Sequence, residues 1–258
     1  MTHRQAFRSR LRAREPIIGT FLKTASPTVC EVLSLTSLGC VCVDAEHAPF
    51  GRTELDACLM ALAAGDMPAL VRVPSAASSE ILYALDGGGV GVVVPHVVSG
   101  DQAREVVAAC HYGAGGRGYA GSTRAARFTT TPMAAHLADS AAMTTVIAQI
   151  EDAEALPHLD AIARTPGLDA LFVGRMDLTV SLGASSPQEP VVVAAVEQIV
   201  AAGCAAGIAV GLFLTTVNEA QDWLKRGATF FLVASDQQLL LEAVRASSER
   251  FAAFPRHP

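Results

Sequence analysis

Eight times along this chain a short β-type apolar run is followed by a helix-type stretch, and this alternation constrains the fold more than any other feature. The runs read as strands at 17–21, 40–46, 69–74, 91–97, 145–151, 170–174, 209–214 and 230–234. Helical patterning follows at 28–37, 53–64, 78–85, 101–110, 153–164, around 178–182 and 191–206, at 218–226 and at 237–252. Strands that alternate with helices imply parallel strands joined by crossovers. Eight such units in 258 residues are the count of a (β/α)8 barrel. The rival, an open doubly wound sheet, would carry a G-x-G-x-x-G turn after its first strand, and Gly19-Thr20-Phe21-Leu22-Lys23-Thr24 contains none. No linker divides the chain, so a single α/β domain over 1–258 is expected.

Residues 1–14 carry Arg4, Arg8, Arg10, Arg12 and Arg14 but no apolar signal region, and Phe7 with Leu11 at i, i+4 reads as a short amphipathic helix. Ser26-Pro27 offers an N-cap and a first-turn proline to the next helix. A net charge of −6 argues against a general nucleic-acid binder. Although 51% of residues are hydrophobic, no uninterrupted apolar run reaches the ~18–20 residues of a membrane span, so a core-rich soluble globule is expected. Six cysteines without a C-x-x-C pair suggest buried thiols in the cytoplasm, not disulfides or a zinc site. The longest irregular stretch, 112–131, combines Gly113, Gly115, Gly116, Gly118 and Gly121 with Arg117, Arg124 and Arg127. Such a loop reads equally as a functional or subunit contact and as a solvated excursion.

The chemistry of a barrel gathers where its strands end. In the second run, alternation puts Cys40, Cys42, Asp44 and Glu46 on one face, with Val41, Val43 and Ala45 on the other. The β-branched face suits the outer helices, which aims the carboxylates into the barrel mouth beside His47. Arg72 interrupts the apolar run 70–74 and needs an anion from protein or ligand. In the fifth run Ile147, Gln149 and Glu151 share a face. The sixth leads into Gly174-Arg175-Met176-Asp177-Leu178, where glycine permits close backbone approach and Asp177 lies in a first helical turn. Glu151 and Asp177 thus come from adjacent strand ends, an oxygen set suited to Mg²⁺ or Mn²⁺, with water and substrate completing the shell.

Together the segments V-D-A-E-H-A-P (43–49), V-R-V-P (71–74), Q-I-E (149–151) and G-x-x-D-L (174–178) resemble the signatures of the HpcH/HpaI family of metal-dependent class II pyruvate aldolases. The opening R-L-R-A-R-E-P-I-I-G-T-F is also similar, and the resemblance runs in order through nearly the whole chain. It implies a barrel whose last helix is exchanged between subunits, assembled as a trimer of dimers. It implies Glu151 and Asp177 as ligands of a divalent metal, Mg²⁺ or Mn²⁺ with Co²⁺ also compatible. Pyruvate would chelate that metal, helped by Gln149 and the backbone around Gly174, Met176 and Asp177. Arg72 would steady the enolate oxygen, and His47 would act as base, made more basic by Asp86.

The residues read alone agree with that chemistry. Cleaving C3–C4 of a 4-hydroxy-2-oxo acid to pyruvate and an aldehyde develops charge on an enolate, where a metal and Arg72 stabilise it. A base near neutral pH suits His47. A Schiff-base route needs a lysine in the mouth. Of Lys23 and Lys225 only Lys23 is a candidate, and it reads as a solvated side chain. Three departures from the family pattern stand out. Arg175-Met176 replaces the proline segment, 112–118 lacks the usual prolines, and His96 stands where an apolar residue is usual. Arg175 is expected to reach over the mouth toward an anionic acceptor, or else to be a surface cation. His96 is expected either to alter the acceptor site or to be a hydrogen-bonded rim histidine, and Phe213 to shape the pocket or pack in the core. Related enolate chemistry, as in an oxaloacetate decarboxylase or an acyl-CoA lyase, and a catalytically silent barrel are the competing readings. The intact set His47, Arg72, Glu151 and Asp177 counts against a silent barrel.

Overall fold

Alternating side-chain direction splits each strand between two apolar environments, and the fold follows from satisfying both. The structure, a computed structural model, describes residues 2–254. In β2 (Cys40–Asp44) Cys40 and Cys42 point inward to Phe21, Leu70 and Leu232, while Val41 and Val43 pack outward against the helix layer. The same division holds in β5 (Thr145–Ile150), where Ile147 faces inward and Val146, Ala148 and Ile150 face outward. The remaining strands are β1 (Ile17–Leu22), β3 (Ala69–Arg72), β4 (Gly91–Val94), β6 (Ala170–Val173), β7 (Ala209–Leu214) and β8 (Phe230–Ser235). They pair in parallel in chain order, and β8 closes on β1, completing the expected eight-stranded (β/α)8 barrel.

Phe21, Phe172 and Phe230 are the largest side chains among the aliphatic and cysteine residues that fill the barrel interior. Phe172 lies 5.8 Å from Phe230 and 6.3 Å from Phe21, measured between ring centroids. Gly211 makes room for them, since a Cβ there would stand 2.5 Å from the Phe230 ring. The basic N-terminal segment forms α1 (His3–Arg12), begun by a capping box between Thr2 and Gln5. Its Phe7 and Leu11 plug the N-terminal end of the barrel, and buried Arg8 donates from Nε to both oxygens of Asp169 at 3.0 Å.

The outer layer comprises α2 (Pro27–Ser34), α3 (Arg52–Ala64), α4 (Ser78–Asp86), α5 (Gly100–Cys110), α7 (Leu159–Ala163), α8 (Arg175–Ser181), α9 (Pro190–Ala206) and α10 (Ala220–Arg226). Between α5 and β5 lies a helix the periodicity does not foresee, α6 (Met133–Met143). It buries only His136, so no apolar stripe announces it, and its alanines carry the helix by intrinsic propensity. The stretch expected as one helix at 153–164 divides into a 3₁₀ segment, Ala153–His158, and α7, because Pro157 supplies no N–H to an α-helical ladder. Ser26 sits at the N-cap of α2 without a side-chain capping bond. The last helix, α11 (Asp236–Ala252), has no buried residue, and Leu240, Val244 and Phe251 are exposed on it. Helix α5 descends from the C-terminal strand ends, so the loop 112–131 lies at the opposite, N-terminal end of the barrel, where Arg117 stacks on Tyr112. No helix among the described residues is long and apolar enough to cross a membrane.

Candidate active site

Asp44 and Arg72 are the last residues of adjacent strands and stand in register across the β2–β3 ladder. The arginine grips the fully buried carboxylate with two bonds, Nε to Oδ1 at 3.0 Å and Nη2 to Oδ2 at 2.8 Å. Its guanidinium also lies over the Phe21 ring, 4.6 Å from the centroid. Burial opposes both charges. The Arg72 bond and charge nevertheless hold Asp44 below the usual carboxylate range, and Asp44 raises Arg72 in turn. Nε and Nη2 are committed to Asp44, which leaves the outer edge of the fork for an oxyanion.

Lys23 is not the solvated side chain expected. Its backbone is fixed by Asp236, which accepts from the Lys23 N–H at 2.7 Å, and its Nζ stands 3.3 Å from Asp44 Oδ2. Lys23, Asp44, His47, Arg72, Asp177 and Phe213 line one cavity of about 270 Å³ at the barrel mouth, together with Gly174, Arg175 and Met176. Lys225, by contrast, is exposed on α10 and pairs with Asp222. A larger cavity of about 590 Å³, among Arg4, Arg117 and Arg124, lies at the N-terminal end and contains none of the strand-end carboxylates.

Behind the mouth cavity two further carboxyl groups meet. Glu151, 1% exposed, accepts from Gln149 Nε2 and from the His96 backbone N–H at 3.0 Å. Glu46 reaches the same place from the turn after β2, with Oε2 3.3 Å from Arg72 Nε and Oε1 3.9 Å from His96 Nε2. Burial raises both carboxyl groups above their ordinary values, and their mutual repulsion adds to the effect at Glu46, where Arg72 offsets part of it. Donor atoms of Glu46, His96 and Glu151 lie within 4.8 Å of one another, a set that could hold a metal ion. Glu46 Oε2 and Gln149 Oε1 are buried without a hydrogen-bond partner. Two raised carboxyl groups and two oxygens without a hydrogen-bond donor thus meet within reach of one arginine. Gly174 is the wall between this group and the cavity, since a Cβ there would stand 2.5 Å from Glu151 Oε2.

The other expected site residues divide into those brought together and those not. His47 is at the rim, with its backbone N–H bonded to Asp44 at 3.0 Å and Nε2 3.6 Å from Glu46. Asp177 is exposed in the first turn of α8; its charge acts on Glu151, but it is not one of the three clustered ligands. Met176 is exposed beside it. Arg175 does not reach over the mouth as a free cation. It is 7% exposed and its Nη1 is bonded to Glu219 at 2.8 Å, so its charge is already spoken for. Asp86 does not meet His47 within the chain. As the last residue of α4 it is carried to the N-terminal end, where Arg117 and His136 are its neighbours and burial pushes its carboxyl up. Two residues escaped the expected ligand set, Glu46 and His96. Alternation flagged Glu46 as facing the mouth, but nothing local in sequence links it to His96, fifty residues on.

A parallel eight-stranded barrel with an arginine-carboxylate grip and a metal-type cluster at its C-terminal strand ends is the layout of a barrel enzyme. The chain belongs to the HpcH/HpaI aldolase/citrate lyase family, which it matches over residues 17–243. It is 36% identical over 249 residues to the 4-hydroxy-2-oxovalerate aldolase of Rhodococcus jostii, covering 96% of each chain. It is 34% identical over 252 residues to the hydroxypyruvate/pyruvate aldolase of Paraburkholderia phytofirmans, covering 95% of this chain and 96% of that one. Among solved structures, an HpcH/HpaI aldolase/citrate lyase family protein from Burkholderia cenocepacia superposes with a TM-score of 0.91 at 32% identity, covering 96% of this chain and all of the other.

Proposed function

We propose that this chain is a class II pyruvate aldolase, a lyase that uses a divalent metal to cleave a 4-hydroxy-2-oxo acid reversibly to pyruvate and an aldehyde. The observation that carries this reading is the meeting of Glu46, His96 and Glu151 at the strand ends beside Arg72, with both carboxyl groups pushed up by burial. The donor chemistry fits a hard divalent ion, Mg²⁺ or Mn²⁺ with Co²⁺ also compatible, held through Glu151 and Asp177. Such an ion supplies Lewis-acid polarisation to the 2-oxo and carboxylate oxygens of the substrate.

The protein residues supply the rest. Gln149 holds Glu151 in place through its amide, and Gly174 with the backbone near Met176 lets a substrate carboxylate come close. His47 takes the proton of the C4 hydroxyl, the C3–C4 bond breaks to release the aldehyde, and its electron pair becomes the C2–C3 double bond of the enolate. Arg72 stabilises the charge that develops on the enolate oxygen, from an edge that Asp44 keeps rigid. Proton return to C3 gives pyruvate. A contact between His47 and Asp86 would have to form between subunits.

A trimer of dimers with the last helix exchanged is the assembly this reading carries. A helix without a buried residue but with exposed Leu240, Val244 and Phe251 supports burial of α11 against another chain. Six free cysteines, five of them buried, suit a reducing cytoplasmic setting.

Pyruvate release from a 4-hydroxy-2-oxo acid, followed with a coupled dehydrogenase, tests the assignment. Release is expected to stop in excess EDTA and to return with Mg²⁺ or Mn²⁺. Full turnover in EDTA, or a borohydride-trapped imine on Lys23, would overturn it; Lys23 lies in the mouth, so the second outcome is a real alternative.

A further inference from the structure

We infer that His96 is a third protein ligand of the metal, bonding through Nε2, and that this nitrogen donor shifts the site toward Co²⁺ and away from Mg²⁺. The inference rests on the proposed metal at Glu151, the residue that this proposal shares with the Glu46, His96 and Glu151 group.

The backbone is built to bring the imidazole there. His96 follows β4 and has φ of 56°, a left-handed conformation that non-glycine residues rarely adopt and that tends to persist at functional sites. In that conformation its own N–H is bonded to Glu151 Oε1 at 3.0 Å, so the residue is tied to a metal ligand through its main chain. The side chain is then oriented by a second carboxylate, Asp152, whose Oδ2 lies 3.0 Å from Nδ1. A carboxylate on one ring nitrogen assigns the proton to it and leaves the other nitrogen its lone pair, the usual setting of a metal-bound histidine. Here the other nitrogen is Nε2, 3.9 Å from Glu46 Oε1, while Nδ1 itself stands 3.5 Å from Glu151 Oε1, so the imidazole lies between the two carboxyl groups.

Spacing agrees. One donor atom from each of Glu46, His96 and Glu151 lies within 4.8 Å of the others. Two ligand atoms each about 2.1 Å from one ion stand at most about 4.2 Å apart, so closure needs only small side-chain movements. A second observation is independent of that spacing: Glu46 Oε2 and Gln149 Oε1 are buried oxygens with no hydrogen-bond donor, so lone pairs at this place are uncommitted. Arg72 Nε at 3.3 Å and His47 Nε2 at 3.6 Å are on the side of Glu46 Oε2, and Glu46 Oε1 lies 3.9 Å from His96 Nε2. Imidazole nitrogen bonds Co²⁺ much better than Mg²⁺, which prefers an all-oxygen shell and keeps its waters.

Calorimetric titration of the whole protein with Co²⁺ and with Mg²⁺, without substrate, tests this apart from turnover. Pulsed EPR of the Cu²⁺-loaded protein reads directly bonded nitrogen in parallel. His96→Asn keeps a residue that tolerates the left-handed conformation. It is expected to weaken Co²⁺ binding by about 10–100-fold, to change Mg²⁺ binding much less, and to abolish the nitrogen coupling. Asp152→Asn leaves the imidazole in place and is expected to weaken Co²⁺ binding by about tenfold with the nitrogen coupling retained. Wild type that binds Co²⁺ without nitrogen coupling, or a His96→Asn protein with an unchanged Co²⁺/Mg²⁺ ratio, overturns the ligand assignment and leaves the aldolase reading standing. A wild type that binds neither ion overturns both.

Discussion

Glu151→Gln is expected to abolish turnover almost completely, at folded-protein levels close to wild type. Glu151 is the one fully enclosed carboxylate of the metal group, and both of its oxygens already accept hydrogen bonds, from Gln149 Nε2 and from the His96 N–H. An amide has a single oxygen, so one of those donors would face another N–H₂ group, and the negative charge would be gone. A metal's stabilisation of developing charge amounts to several kcal/mol, which at about 1.4 kcal/mol per tenfold is on the order of 10³-fold in kcat. Stability should change little, because removing a buried, poorly compensated charge offsets the lost hydrogen bond. Steady-state rates and metal titration of the variant check this together. A kcat within tenfold of wild type would remove Glu151 from the metal group.

Arg72→Lys is expected to lower kcat by about 10²-fold or more, the scale of losing one transition-state donor. The guanidinium does two things that an ammonium cannot do together. It grips both oxygens of Asp44 with Nε and Nη2 while its flat face rests on Phe21, and it still presents an outer edge to the cavity. A lysine could pair with Asp44 or reach for substrate, but not in this geometry. Lys23 would remain near Asp44, which limits the cost of leaving that buried carboxylate without its fork. Comparing kcat with the melting temperature separates the roles: a lowered melting temperature with unchanged kcat would make Arg72 a structural residue.

The strand pattern and the strand-end carboxylates were legible because both depend on period-two alternation, which is local. Cys40, Cys42 and Asp44 face the barrel interior, and Ile147, Gln149 and Glu151 follow the same rule in β5. What alternation could not reveal is where side chains go once the strand has ended. Arg175 turns to Glu219, a partner on the next βα connection and 44 residues away, so a cation read as free is neutralised. Lys23 turns inward because Asp236, from the far end of the chain, fixes its backbone. Asp86 ends a helix, and the direction of that helix, not its sequence, carries it away from His47. His96 was visible as an oddity, but its nearness to Glu46 exists only once β2, β4 and β5 close into one barrel. Helix α6 went unseen for a different reason, since a helix that buries one residue has no apolar period to display.

The central claim is that this site makes a pyruvate enolate by means of a divalent metal. Exchange of the pyruvate methyl protons with D₂O, followed by NMR without any aldehyde present, isolates that step from acceptor specificity. Rapid exchange with Mg²⁺ or Mn²⁺, lost in EDTA and regained on adding metal back, is the predicted result. Exchange that continues unchanged in excess EDTA, or none in the metal-loaded protein, would contradict it.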